Sequence, residues 1–588
     1  MRALHRIGGH VGEGRWAASR CAIGLVCLGM LSFAVSACRT SSSDESLHAQ
    51  GVGDGSTTAP PAPPASHVVL LEPRAGREMA RASSAPSRAD ASSIGASVAY
   101  DDGGPGFAGS GEPTDLDRYD PWKETGFVSV RDRPLSTFAI DVDTASYSNV
   151  RRFLQEGQQP PRGAVRIEEM LNSFRYVLDP VRDATSAERP IAVSTELFAA
   201  PWEPDHHLVR VAITGRALPE ADLPPLNLVL LVDVSGSMQG PDRLPWVKRG
   251  LSELARQLRP RDRVAIVVYA GAAGLVLEPT PGDRRGEIQA ALARLEAGGS
   301  TAGGEGIALA YQVARRHFDP KGINRVVLAT DGDFNVGITS RSELVDRIEK
   351  ERESGVFLSV LGFGRGNLND AGMEDLADRG NGNYAYVDSP AEARRVLVHE
   401  AGSTLVTIAR DVKVQVEFNP AKVQAYRLIG YENRRLAERD FNDDTKDAGE
   451  VGAGHHLTAL YEIVPVGVPF EAGVDPRRYA TPTEASDKGF DDEWMTVKLR
   501  HQPPQGGKSR LQVERVTGAP RSIEGASENA RFAAAVALFG MLLQESELRG
   551  QGDYDLVRRL ARGALGPDER GERSEFVRLV SLAEELRS

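Results

Sequence analysis

The stretch Leu228-Val229-Leu230-Leu231-Val232-Asp233-Val234-Ser235-Gly236-Ser237 decides the fold. Consecutive apolar residues closed by turn-forming ones suit a strand covered on both faces, as in parallel sheets flanked by helices. Four more short apolar runs follow, at 264–269, 326–330, 356–361 and 384–387. Between them, Leu244, Val247, Leu251, Leu254 and Leu258 recur at spacings of three and four, as do Ile307, Tyr311, Ala314 and Phe318. Each series lays one apolar stripe along a helix. Two further helix starts carry capping boxes, Ser340-Arg341-Ser342-Glu343 and Ser389-Pro390-Ala391-Glu392, the second with proline at the first helical position. The alternation over residues 223–402 predicts an α/β domain with a doubly wound, mostly parallel sheet.

In such a sheet ligands bind outside the carboxyl ends of the strands. Asp233, Ser235 and Ser237 leave the first run, and Asp331 leaves the run 326–330. Thr301 sits in the glycine-rich loop 298–304, just before the helix opening near Glu305. Five oxygen-bearing side chains from three loops suit a hard divalent cation, Mg2+ first, with Mn2+ or Ca2+ as alternatives. Asp-x-Ser-x-Ser on its own reads equally well as a turn capping the next helix. Thr301 and Asp331, in order and in context, shift the reading to metal.

The set resembles the metal-ion-dependent adhesion site of a von Willebrand factor A domain: D-x-S-x-S, a distant Thr, then an Asp followed by Gly, matched here at every position. The resemblance implies that Ser235, Ser237 and Thr301 approach the metal through their hydroxyls, with Asp233 and Asp331 acting mostly through bound water. Neutral oxygens leave the cation's charge poorly compensated. A Glu or Asp from a protein partner is then bound strongly in the remaining coordination position.

The ends of the chain carry a different signal. Arg2, Arg6, Arg15 and Arg20 precede an apolar stretch at 21–37, the shape of a secretory signal. All three cysteines, Cys21, Cys27 and Cys38, fall in the first 38 residues, so the rest has none for disulfides or thiolate metal sites. Val35-Ser36-Ala37-Cys38 resembles the bacterial lipobox, which implies cleavage before Cys38 and its lipidation. A permanent helical anchor is the second reading, since about 17 apolar residues lie at the short limit for spanning a bilayer. Arg39, where inner-membrane retention uses Asp, favours the outer membrane of a cell envelope. Residues 39–115, rich in Ser, Ala, Gly and Pro, read as a disordered tether. The formal net charge of −12, with a basic N-terminal segment included, argues against nucleic acid as a partner.

Residues 116–222 read as an N-terminal flanking α+β region, with an apolar run at 135–142, helices at 144–154 and 166–174, and strands at 191–197 and 208–213. Residues 403–588 read as a C-terminal flanking domain of strands then helices. Its strands are expected at 412–418, 456–464 and 494–499, its apolar helix at 532–543 is too short to span a bilayer, and Gly566-Pro567 separates its last two helices. The stretch 138–152 (FAIDVDTASYSNVRR) and the segments 440–449, 452–455 and 459–463 resemble the flanks of bacterial lipoproteins of the YfbK type, so that the resemblance covers about residues 116–588.

Other patterns carry less. Asp141-Val142-Asp143-Thr144-Ala145 is a shallow match to the aspartyl-phosphate phosphatase motif, and Asp143 is expected instead to cap the next helix. Gly362-Phe363-Gly364-Arg365-Gly366 reads as a tight turn. The acidic segment 440–447 reads as a solvated turn, and the pairs His206-His207 and His455-His456 lack metalloprotease spacing. With no recognisable nucleophile and base, no enzyme is expected. Two functions remain: a surface-tethered module that captures a partner's carboxylate for adhesion or scaffolding, or an envelope assembly or stress factor whose metal latches an acid of its own flanks, such as one in 440–447.

Overall fold

The computed structural model describes residues 117–587, apart from 120, 122, 141–142, 177–185, 187, 301–302, 333–340, 367, 400–405, 445, 447 and 471–489. The N-terminal part contributes β1 (Val128–Ser129), β2 (Leu135–Ala139), β3 (Ile191–Ala199) and β4 (His207–Gly215). The central part contributes β5 (Leu226–Asp233), β6 (Arg263–Tyr269), β7 (Ala273–Pro281), β8 (Ile323–Thr330), β9 (Val356–Phe363) and β10 (Tyr384–Val387). The C-terminal part contributes β11 (Thr407–Phe418), β12 (Val423–Ile429), β13 (Val451–Gly452), β14 (His456–Pro465), β15 (Glu493–Gln502) and β16 (Arg510–Thr517).

The central sheet runs β10-β9-β8-β5-β6-β7, parallel throughout except that β7 returns antiparallel beside β6. All five apolar runs are strands, and β5 is buried from Asn227 to Asp233 because helices cover both its faces. Leu228, Leu230 and Val232 pack in one core with Leu244, Val247, Leu251 and Leu254 of the helix Leu244–Gln257. Val229 and Leu231 pack in another with Ile307, Tyr311 and Ala314 of the helix Gly303–Arg316. Phe318 departs from its expected stripe: it lies beyond the helix end and is 39 % exposed. Ser389 caps the helix Pro390–Arg394 by accepting from Glu392 N, but the other half of the expected capping box is given up, because the Glu392 carboxylate accepts from Arg151 and Arg395. Ser340 lies outside the described residues.

The two flanks build their sheets jointly. One sheet has the order β1-β12-β14-β4-β3, joining N- and C-terminal strands in antiparallel register. In the other, β13-β11-β15-β16, β2 lies antiparallel on β11, pairing Phe138 with Val414. Their inner faces share an aromatic core in which Phe418 stacks on Tyr426 at 3.9 Å between ring centroids, and Phe138 meets Tyr461 edge-on at 6.4 Å. The helix Glu528–Leu543 is buried almost throughout against N-terminal helices, with Phe532 4.9 Å from Phe174. Among the described residues no helix is long and apolar enough to cross a membrane.

Buried ion pairs tie the flanks to one edge of the central sheet. Arg151, on the helix Ala145–Gln155, donates to Asp388 and, at 2.9 Å, to Glu392. Arg166 reaches Asp370 at 2.7 Å. Asp143 does not cap its helix as the sequence suggests: its Oδ1 accepts from Tyr384 N at 2.7 Å and its Oδ2 meets Arg434 at 3.4 Å, so a tertiary partnership takes the carboxylate from the local one.

Candidate metal centre

The order reversal of the central sheet falls at β5, which has β6 on one side and β8 on the other, the crevice where open α/β sheets hold ligands. Asp233 ends β5 and Asp331 follows β8 directly. The loop after β5 is fixed by Val234 N donating to Tyr269 O at 3.0 Å. The glycine-rich loop is drawn against it: Gly298 N donates to Val234 O at 2.8 Å and Gly236 N to Gly299 O at 2.9 Å. Gly299 holds a φ of +87°, a conformation that glycine adopts without strain. Asp233, Ser235, Ser237 and Asp331 are therefore brought to one strand-end cluster, with Gly298 and Gly299 of the glycine-rich loop bonded to its backbone. Thr301 itself lies outside the described residues, as does Cys38.

Asp233 is fully buried and its two oxygens are occupied. Oδ1 accepts from Ser235 N at 2.9 Å, and Oδ2 accepts from Tyr269 Oη at 3.0 Å and Thr330 Oγ1 at 3.1 Å. Burial pushes this carboxyl above the ordinary range, hydrogen bonds from Ser235 pull it down, and the Asp331 charge raises it again. Burial, with Asp233 beside it, also raises the Tyr269 phenol well above its ordinary value, so it stays a neutral donor at physiological pH. The helix Gly303–Arg316 passes close over this tyrosine at Gly306, where a Cβ would lie 2.8 Å from Tyr269 Cβ.

Ser235 Oγ and Ser237 Oγ stand 2.9 Å apart. Asp331 is 2 % exposed; its Oδ2 accepts from Arg243 Nη1 at 3.0 Å, while its Oδ1 is buried without a hydrogen-bond partner among the described residues. Arg243 Nη1 also donates to Ser237 O, bridging the two loops, and Nη2 donates to Arg365 O at 2.7 Å. Gly364, at φ +73°, makes room for this guanidinium, since a Cβ there would meet Arg243 Nε at 2.3 Å.

A buried carboxylate oxygen left without a donor costs free energy comparable to a lost hydrogen bond or more. Adjacent serine hydroxyls and that oxygen are the donor set of a hard, oxygen-seeking divalent cation. The residues present thus fit such an ion, with Ser235, Ser237 and Asp331 offering oxygens and Asp233 bracing the loop. Among the described residues, no group of three or more His, Cys, Asp or Glu is placed to hold a metal; hydroxyls make up half of this cluster's described members. Sequence reasoning missed Tyr269, Thr330 and Arg243. The first two are the last residues of β6 and β8, so reading strand-end polar residues beside the motif would have found them. Arg243 had no local signal, because its partners come from three separate loops.

Fold and strand-end cluster define a protein built around a von Willebrand factor type A domain, and the model of that domain matches residues 228–333. A model described as von Willebrand factor matches 113–210, and one described as uncharacterized protein YfbK, C-terminal, matches 403–586. The chain is 44 % identical over 471 residues to the uncharacterized protein YfbK of Escherichia coli K12, spanning 79 % of this chain and 81 % of that one. It belongs to the YfbK family. The uncharacterized protein sll0103 of Synechocystis is 30 % identical over 185 residues, covering 32 % of this chain and 43 % of its own length. A solved von Willebrand factor type A structure from Catenulispora acidiphila is similar over 66 % of this chain and 89 % of that one, at 17 % identity and a TM-score of 0.37. The two sequence relatives are described only as uncharacterised proteins, so they supply architecture and no activity.

Proposed function

We propose that this chain is an envelope-tethered binding protein whose A domain holds a divalent cation of the Mg2+ class on Asp233, Ser235, Ser237, Thr301 and Asp331 and captures a Glu or Asp side chain of a partner protein. The observation that carries this reading is Asp331 Oδ1, buried without a donor among the described residues, at the strand-end cluster that also holds two serine hydroxyls 2.9 Å apart. The cation, when bound, supplies a Lewis-acidic position for an incoming carboxylate. Ser235 and Ser237 contribute neutral oxygens, which compensate little of the charge and leave a strong attraction for an acid. Tyr269 and Thr330 lock the Asp233 carboxylate, and through it the Ser235 backbone, so the hydroxyls are held in place before a partner arrives. Arg243 anchors Asp331 from the opposite side.

The lipobox at Cys38 supports anchoring by an N-terminal lipid in the bacterial cell envelope, at the outer membrane, with residues 39–115 as the tether. No catalytic step is assigned to the cluster. The partner reading is preferred to an internal latch because Asp444, of the flanking acidic segment, is already engaged by Arg500 at 2.9 Å and by Ser509. The test is capture of partners from envelope extracts with and without EDTA. The proposal expects recovery that falls with EDTA and with Asp233→Ala; recovery indifferent to both contradicts it.

A further inference from the structure

At the opposite, amino-terminal end of the central sheet, β8 carries a buried charge that its described surroundings neutralise only in part. Arg325 is 2 % exposed, yet among the described residues it has no ion pair. Its Nη1 donates to Ser359 Oγ at 2.6 Å, and among the described residues its buried Nε has no hydrogen-bond partner and no bond engages Nη2. Nε is sealed from the cavity, which leaves Nη2 as the guanidinium nitrogen able to make a charge-assisted hydrogen bond to an oxyanion oxygen. The Phe357 ring centroid lies 5.7 Å from this guanidinium and 5.6 Å from that of Arg410, so an aromatic ring packs here, with Glu450 as the nearby acid. Burial lowers Arg325 to about 10, with the Glu450 charge offsetting part of that shift.

Arg325 lines a cavity of about 230 Å3 where the central sheet meets the flanking strands. Its wall also includes Arg434 and Arg435, and backbone at Gly382, Gly449 and Gly452. Of the described acids in the wall, Glu450 accepts from Asn381 Nδ2 at 2.7 Å and lies 4.0 Å from Arg410, and Asp378 pairs with Arg434. A liquid water occupies about 30 Å3, so the space takes an ion of several heavy atoms with hydration. An isolated buried charge is strongly disfavoured, and the cavity supplies the room for what balances it.

The geometry points to a binding site for a small oxyanion, of the phosphate or carboxylate class, seated on Nη2 of Arg325 between the A domain and the flanking sheets. Such an ion joins two layers of the molecule and stiffens the platform that presents the metal centre at the other end of β8. The site is independent of the metal, so its failure would leave the proposed function standing.

The test is thermal unfolding of the full chain in sodium chloride against inorganic phosphate at matched ionic strength, with acetate as a second arm. Wild type is expected to gain several degrees in Tm along a saturating curve. Arg325→Met is expected to melt higher than wild type in chloride, having lost a buried charge neutralised only in part, and to lack the saturating component. Glu450→Gln, which removes a nearby negative charge, is expected to bring half-saturation to a several-fold lower concentration. Saturation by acetate at lower concentration than by phosphate assigns the carboxylate class; the reverse order assigns phosphate. Identical responses in wild type and Arg325→Met, or a rise that never saturates, overturn the proposal. Should Arg325→Met fail to fold, an unchanged Glu450→Gln titration overturns it instead.

Discussion

Replacing Arg243 by Met separates the two roles that the structure gives this residue. Its Nη1 is the one donor that Asp331 has among the described residues, at 3.0 Å, and Asp331 is 2 % exposed. Without it both oxygens of a buried carboxylate lack partners, and metal-free protein is expected to lose roughly 2–4 kcal/mol. With a dication bound the sign reverses. A guanidinium and a 2+ ion sharing one carboxylate lie ~5 Å apart and repel by about 1.5 kcal/mol even at water-like screening. Relief of that repulsion corresponds to roughly tenfold in affinity. The assay is calorimetric titration of Mg2+ into wild type and Arg243→Met, with thermal unfolding in EDTA and in excess Mg2+. The variant is expected to bind about tenfold tighter, to melt lower in EDTA, and to show the wider gap between the two conditions. Unchanged or weaker metal binding, with unchanged stability in EDTA, would refute the assignment of Arg243 as a cation competing for Asp331.

Three further outcomes follow from buried groups. Arg151→Met leaves Asp388, whose side chain is 4 % exposed, without its guanidinium, while Glu392 keeps Arg395; a loss of about 3–5 kcal/mol in urea unfolding is expected, and a loss below about 1 kcal/mol would contradict the junction described. Gly306→Ala puts a Cβ 2.8 Å from Tyr269 Cβ, which pushes the helix Gly303–Arg316 off β6; roughly 1–3 kcal/mol of stability should be lost, together with a weakened Mg2+ response. Burial, with the Glu432 charge adding, pushes the Glu168 carboxyl from 4.5 up to about 7. Because the folded-state value is raised, this group favours folding at acid pH and its contribution is lost as pH rises through about 7. Glu168→Gln is expected to stabilise by roughly 1–3 kcal/mol at pH 8 and by little near pH 4, measured by urea unfolding at both; equal effects at the two pH values would contradict it.

The central domain was legible because its chemistry is local. Five strands buried on both faces are five apolar runs, and the helices against β5 show their stripes at helical spacing. Three of its elements were not legible. The strand β7, Ala273–Pro281, is a partly exposed edge containing Gly274, Pro279 and Pro281, so neither an apolar run nor a clean alternation marks it. The helix Asp370–Arg379 buries Asp370 and Glu374 for ion pairs with Arg166, which blurs its apolar face. The helix Arg285–Ala293 buries only Ile288, Ala291 and Leu292.

In the flanks the obstacle was distance along the chain. Gln415 of β11 donates to Thr137 of β2 across 278 residues, and no periodicity announces which strand will find which. The strand β16 escaped for another reason: Leu511 and Val513, its apolar alternation, are 56 % and 49 % exposed, so the pattern does not mark a buried face. At the metal centre the motif residues were readable from order and spacing, whereas the donors that hold them, Tyr269, Thr330 and Arg243, act through contacts made only in the folded chain.

The central claim concerns Ser235, Ser237 and the unpartnered Asp331 oxygen, and calorimetric titration of Mg2+ into the purified chain tests it most directly. Wild type is expected to bind one ion per chain, and Ser235→Ala with Ser237→Ala to abolish that binding while leaving the fold intact by circular dichroism. No heat of binding in wild type at millimolar Mg2+ or Mn2+, or binding that survives the double substitution, would contradict the account.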